Sequence, residues 1–146
     1  MLVAKQQLDR VATFAKTALA CFPVVESPVE HVFTPGLYIR RIHMVAGSLI
    51  VSKIHKTEHP YVITSGVVTV WTPNGGSTTL RAPHHGITKP GTVRILYVQE
   101  DTVWTTYHPT SKTTVAEVED DIIDRYAPLQ EAIAMFESQK QAALTQ

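Results

Sequence analysis

The chain has 146 residues, enough for one domain with a buried core, and its 13 basic side chains balance 13 acidic ones. No global field therefore draws it towards nucleic acid or a membrane surface. The lone Cys21 excludes an internal disulfide framework, and the absence of any apolar run near ~20 residues excludes a spanning helix.

The opening stretch, MLVAKQQLDR, turns polar too early for a secretory leader, so a soluble, cytoplasmic protein is expected. Leu8, Val11, Ala15, Ala18 and Phe22 recur at steps of three and four, which predicts a helix over residues 3–22, stopped by Pro23. Pro23, Pro28, Pro35 and Gly36 then mark a connector with at most a short strand at His31–Phe33.

From Leu37 the period changes to two. Residues 37–44, 48–55, 61–65 and 67–72 are rich in Val, Ile, Tyr, Trp and Thr and are separated by Gly47, by the turn HKTEHP and by Gly66. The run Thr72-Pro-Asn-Gly-Gly-Ser predicts a hairpin, because Asn-Gly takes positive φ angles easily, and residues 78–81 return from it. A short strand is expected near Ile87. Residues 93–99 and 102–108 read as a second hairpin turning at Glu100-Asp101. About eight short antiparallel strands predict a mainly β sandwich or barrel over residues 37–108.

After Pro109 the pattern is helical again. Thr113 or Thr114 can cap a helix, with Glu117 placed for a capping box. Val118, Ile122 and Ile123 form its apolar side, and Glu117, Glu119, Asp120, Asp121 and Asp124 read as its solvated face. A further helix is expected from Pro128 to about Ala143, giving a C-terminal helical segment over 114–143. The apolar stripes of the terminal helices suit packing on the barrel or on a second copy, so a homo-oligomer is expected.

Histidine is the one chemical excess, at seven residues. His55 and His59 have helical zinc-site spacing, but Pro60 and the flanking β-branched residues predict strand, turn and strand, with both imidazoles facing one cavity. Here the chain resembles the first cupin motif, G-x5-H-x-H-x3,4-E-x6-G. Read from Gly47, its slots fall on Lys53, His55, His59 and Gly66 with every gap matching. Lys53 stands where the motif has its first histidine, and His59 where it has glutamate. The second motif is fainter: Pro90-Gly91 lack the intervening residue, Arg94 fills the histidine slot and Val98 the asparagine slot. The segments SKIHKTEH and EDTVWTTYHPT also resemble small cupin-like proteins of tailed phages, which implies a host-cytoplasmic or virion-associated location.

The resemblance implies a cupin-like double-stranded β-helix, a jelly-roll barrel flanked by an N-terminal helix and C-terminal helices. It also implies an internal pocket for a small molecule, a divalent transition metal such as Fe, Ni, Zn or Mn, and oligomers. Imidazole at position 59 still suits such ions. His108 is the expected third ligand: if residues 93–108 form a hairpin, Arg94, Thr106 and His108 share one face. His43 and Glu58 are weaker candidates.

A second reading stays open. In a metal-free pocket, Lys53 and Arg94 facing inward would call for an anion, such as a carboxylate, phosphate or acidic sugar, bound only or isomerised in epimerase style with His55 or His59 as acid or base; alternatively Lys53 snorkels to the mouth. A third is a structural or host-interaction oligomer without a site. His84-His85 read as an exposed loop, His31 as a connector residue, and Trp71 and Trp104 as core or subunit contact. Neither a phosphate-binding glycine loop, a basic stripe nor a base beside Cys21 is present, which argues against nucleotide enzymes, nucleic-acid binders and cysteine hydrolases.

Overall fold

The structure is a computed structural model that describes residues 27–72 and 76–124, with Gln6, Asp9, Arg10 and Thr13, which are helical. The rest of the helix expected over 3–22, the tip of the expected hairpin at 73–75 and the helix expected from Pro128 to Ala143 lie outside the described residues.

Among the described residues from Val29 to Asp124, nine strands and one helix follow in order: β1 (Val29–Thr34), β2 (Leu37–Met44), β3 (Leu49–Val51), β4 (Ile54–His55), β5 (His59–Thr72), β6 (Gly76–Arg81), β7 (His84–Thr88), β8 (Ile95–Pro109), α1 (Val115–Ile122) and β9 (Ile123–Asp124). All pairings are antiparallel. The large sheet runs β1-β2-β8-β5-β6, with β3 on β8 and β7 on β5, while β4 and β9 form a separate pair.

Two long strands organise this arrangement. The first half of β8 pairs with β3 and with the second half of β5; its second half pairs with β2 and with the first half of β5. Between the halves the register slips at Ile63–Val68, so one bent ribbon serves both ends of the molecule. Gly66 makes the bend possible. Its φ is +99°, and a Cβ there would stand 2.3 Å from the Thr102 hydroxyl and 2.4 Å from the Asp101 carbonyl oxygen, so only glycine lets the strands approach. Gly47, the other motif glycine, turns the chain at φ +86°, where its N–H donates to the Val98 carbonyl at 2.7 Å.

Several sequence expectations change. Glu100-Asp101 is no hairpin turn: β8 runs straight through, and these exposed acids lie opposite the Gly66 bulge, where a polar pair faces solvent without leaving the sheet. The expected strand over 48–55 divides at Ser52-Lys53, because β3 pairs with β8 and β4 with β9. Conversely, the two strands expected on either side of Gly66 are one. His84-His85 open β7, opposite Ile63 and Val62, and are no loop. His31 lies in β1, a full strand because β2 pairs with it from Val29 to Thr34.

The helix begins as expected. The Thr114 hydroxyl accepts from the Glu117 N–H at 3.3 Å and donates to the Glu117 carboxylate at 2.8 Å. It ends earlier. Ile123 is extended and pairs with His55, so the apolar side of the helix is Val118 and Ile122, and Ile123 reaches the core as a strand residue. One core cluster joins Met44, Tyr61, Ile63, Val68, Val70, Leu96, Val98 and Trp104; another joins Tyr38 to Val118, Ile122 and Ile123. Among the described residues no helix is long and apolar enough to cross a membrane.

Candidate functional site

Each imidazole of the site is set by backbone pairing. Residue 55 is held on both sides: Gly91 N–H donates to its carbonyl at 2.8 Å, and Lys56 N–H donates to Ile122 at 2.7 Å. Four residues later the chain re-enters the sheet at His59, opposite Thr88. His108 comes from the far end of β8, opposite Tyr38. The three rings meet: centroids lie 4.4 Å apart for His55–His59, 4.5 Å for His59–His108 and 5.3 Å for His55–His108. One nitrogen of each falls within 4.8 Å of the others.

Their hydrogen bonds leave lone pairs over. His59 Nδ1 donates to the Thr57 carbonyl at 3.2 Å, so its Nε2 is the unprotonated nitrogen. His108 Nε2 lies 2.8 Å from the Thr106 hydroxyl. Its Nδ1 is, among the described residues, the one buried side-chain nitrogen or oxygen without a hydrogen-bond partner. With the proton on Nε2, that Nδ1 presents a bare lone pair to the interior. Burial also keeps the rings neutral. Desolvation, then His59 and His108, pulls His55 down to about 3; desolvation, then His59 and Arg40, pulls His108 down to about 4. Desolvation likewise lowers His59, against the bond to Thr57.

The cluster opens onto a cavity of about 330 Å³. Ile42, Met44, Leu49, Leu96 and Trp104 give it apolar walls, and Arg40, Arg94 and Lys53 add cationic side chains. Lys53 sits at the mouth, its side chain 42% exposed, 3.0 Å from the Glu119 carboxylate. It snorkels instead of facing the interior, and Glu119 leaves the expected solvated face of its helix to meet it. Arg94 is half-buried; its Nη1 donates to Thr88 at 2.9 Å, and its guanidinium lies 5.2 Å from the Tyr61 ring centre and 5.9 Å from that of Trp104.

Arg40 was not expected here. It shares the inward face of β2 with Tyr38, Ile42 and Met44. The signal was present in the doublet Arg40-Arg41, since alternation on a strand must send one of the pair inward. Arg41 is the outer one, ion-paired with Glu30 at 3.1 Å.

The remaining candidates have other partners. His43 points outward to Glu30 at 3.2 Å. Glu58 pairs with Lys89 on the surface. His84 lies 3.2 Å from the Tyr61 hydroxyl, and His31 Nδ1 lies 2.5 Å from that of Tyr38. Arg94, Thr106 and His108 do line one cavity, although no hairpin brings them there.

No protein-family model matches the sequence, and no curated protein is similar to it. Solved structures are similar in fold. An uncharacterised conserved protein with a double-stranded β-helix domain from Klebsiella pneumoniae superposes with a TM-score of 0.52 at 20% identity, over 66% of this chain and 90% of its own. A Neisseria meningitidis protein gives 0.51 at 12% identity, over 66% of this chain and 96% of its own. A cupin-2 domain protein from Shewanella frigidimarina gives 0.46 at 10%, over 64% and 90%. The fold is thus the expected mainly antiparallel double-stranded β-helix.

Proposed function

We propose that the chain binds one divalent transition metal through His55, His59 and His108, and that the adjoining cavity receives a small molecule beside it. The observation that carries this reading is the meeting of three imidazoles, one nitrogen of each within 4.8 Å of the others, in a cluster where the buried Nδ1 of His108 has no hydrogen-bond partner. An orphaned buried acceptor costs about 1–3 kcal/mol, a cost that coordination removes. Tetrahedral zinc with nitrogens at about 2.0–2.1 Å would place them about 3.3 Å apart, so modest ring rotation closes the site. Three protein ligands also leave a position for an exogenous oxygen ligand.

The donor set suits Zn, Ni, Fe or Mn. Bound there, the ion would supply a Lewis acid at the floor of a largely apolar cavity. The chain's own residues do the rest. Thr57 and Thr106 fix the orientations of His59 and His108, the kind of support that ligating imidazoles require. Gly91 and the β4–β9 pair hold the backbone of His55.

The test is elemental analysis of untagged protein after stripping and reloading. About one equivalent is expected for wild type and less than about a tenth for His59→Ala or His108→Ala with unchanged circular dichroism. Wild-type protein that retains no metal after reloading rejects the proposal.

A further inference from the structure

Arg40, Thr106 and Tyr61 are cross-strand neighbours on β2, β8 and β5. The Arg94 guanidinium lies over the Tyr61 ring. Two guanidinium-bearing side chains therefore flank Thr106, two residue pairs along the ladder from His108 and Tyr38. Neither has a carboxylate within ion-pair distance among the described residues; the ion pairs there are Arg41–Glu30, His43–Glu30, Lys53–Glu119 and Lys89–Glu58. Glu119 is near enough to act on Arg40 electrostatically, but its contact is with Lys53.

The charge balance follows from these residues. Lys53, Arg40 and Arg94 against Glu119 leave two positive charges around the cavity. A divalent ion on three neutral imidazoles raises that to four. Half-buried cations without a counter-ion are costly, so such a site favours an anion among its ligands. The guanidinium fork matches a carboxylate or a phosphate in two-point contact. The walls choose between them: Ile42, Met44, Leu49, Leu96 and Trp104 suit an apolar body, which inorganic phosphate lacks. The volume, about 330 Å³, lies at the lower end of small-molecule cavities, roughly 300–1,000 Å³.

We infer that the cavity takes a small carboxylate with an apolar body, its carboxylate group held by Arg40 and Arg94 beside the three imidazoles. This builds on the metal site proposed above and gives that site its ligand class. Arg94 is positioned for the task by Thr88 and by the aromatic faces of Tyr61 and Trp104, which fix its plane. Arg40 is fixed by its place on the inward face of β2.

The test is calorimetric titration of the full chain, zinc-loaded and metal-free, with hexanoate and phenylacetate, their neutral amides hexanamide and phenylacetamide, and inorganic phosphate. The carboxylates are expected to bind at least about tenfold more tightly than the amides and than phosphate. Arg94→Gln and Arg40→Gln should each weaken the carboxylates about tenfold while leaving the amides unchanged. Arg94→Lys, which keeps the charge but not the plane, should fall between.

The wild-type comparison of acid with amide needs no variant to fold. Carboxylates that fail to bind, amides or phosphate that bind equally well, or glutamine variants that bind carboxylates as wild type does would each overturn the inference. Zinc content of the same samples separates the two readings. Zinc retained with acid and amide indistinguishable removes the carboxylate and keeps the metal. Selective carboxylate binding by a chain that takes up no metal does the reverse.

Discussion

The interior has two ends, and they treat polar atoms differently. Towards Ile63, Val67, Val68 and Val98, all 1% exposed or less, the buried Thr102 hydroxyl is bonded to the Glu100 carbonyl at 2.7 Å, and Ser48 to the Val45 carbonyl at 2.5 Å. Both hydroxyls find their partners in nearby backbone. Around His108, equally buried, an imidazole nitrogen has none, and two guanidiniums lack a carboxylate partner among the described residues. Folding alone gives no reason for such a gap, because an unsatisfied buried acceptor lowers stability. The first end is built to hold the chain together. The second holds groups in readiness for something the chain does not contain.

That contrast is sharpest where each end is broken separately. Truncation in the apolar end, Ile63→Ala, is expected to cost about 2–5 kcal/mol in denaturant melts while metal stoichiometry stays at one. A variant that instead lost metal at unchanged stability would invert the comparison.

The pH response of the metal-free protein is the next largest effect. His55 and His108 titrate at about 3 and about 4 when folded, against 6.5 when free. The unfolded chain therefore takes up protons first. Stability is complete above pH 6.5 and is lost progressively as pH falls towards those depressed values. A melting temperature that stays flat from pH 6.5 down to about 5, above the ordinary carboxylate range, would contradict the neutral, desolvated cluster.

The smallest expected effect concerns the orphan itself. His108→Leu removes an unsatisfied buried nitrogen, so the metal-free variant should be within about 1 kcal/mol of wild type or more stable, yet bind no metal. A large loss of metal-free stability would mean that the imidazole serves the fold.

Much of this was legible in the residues. The two motif glycines stand at positive φ, as their turn and bulge require, and His55 and His59 face one cavity across a tight turn. Period-two alternation placed Thr106 and His108 on one face. Long-range pairing was not legible. Glu100-Asp101 has the composition of a turn, and only the bulge at Gly66 shows that a straight strand tolerates it. Likewise Ile123 looks helical until β4 offers it a partner. Arg40 and Glu119 were missed because a charged residue reads as solvated until tertiary structure gives it a lining position.

X-ray absorption fine structure of the zinc-loaded chain addresses the three-histidine centre most directly. Three imidazole nitrogens at about 2.0–2.1 Å are predicted. A zinc shell of oxygens with no imidazole scattering would contradict it.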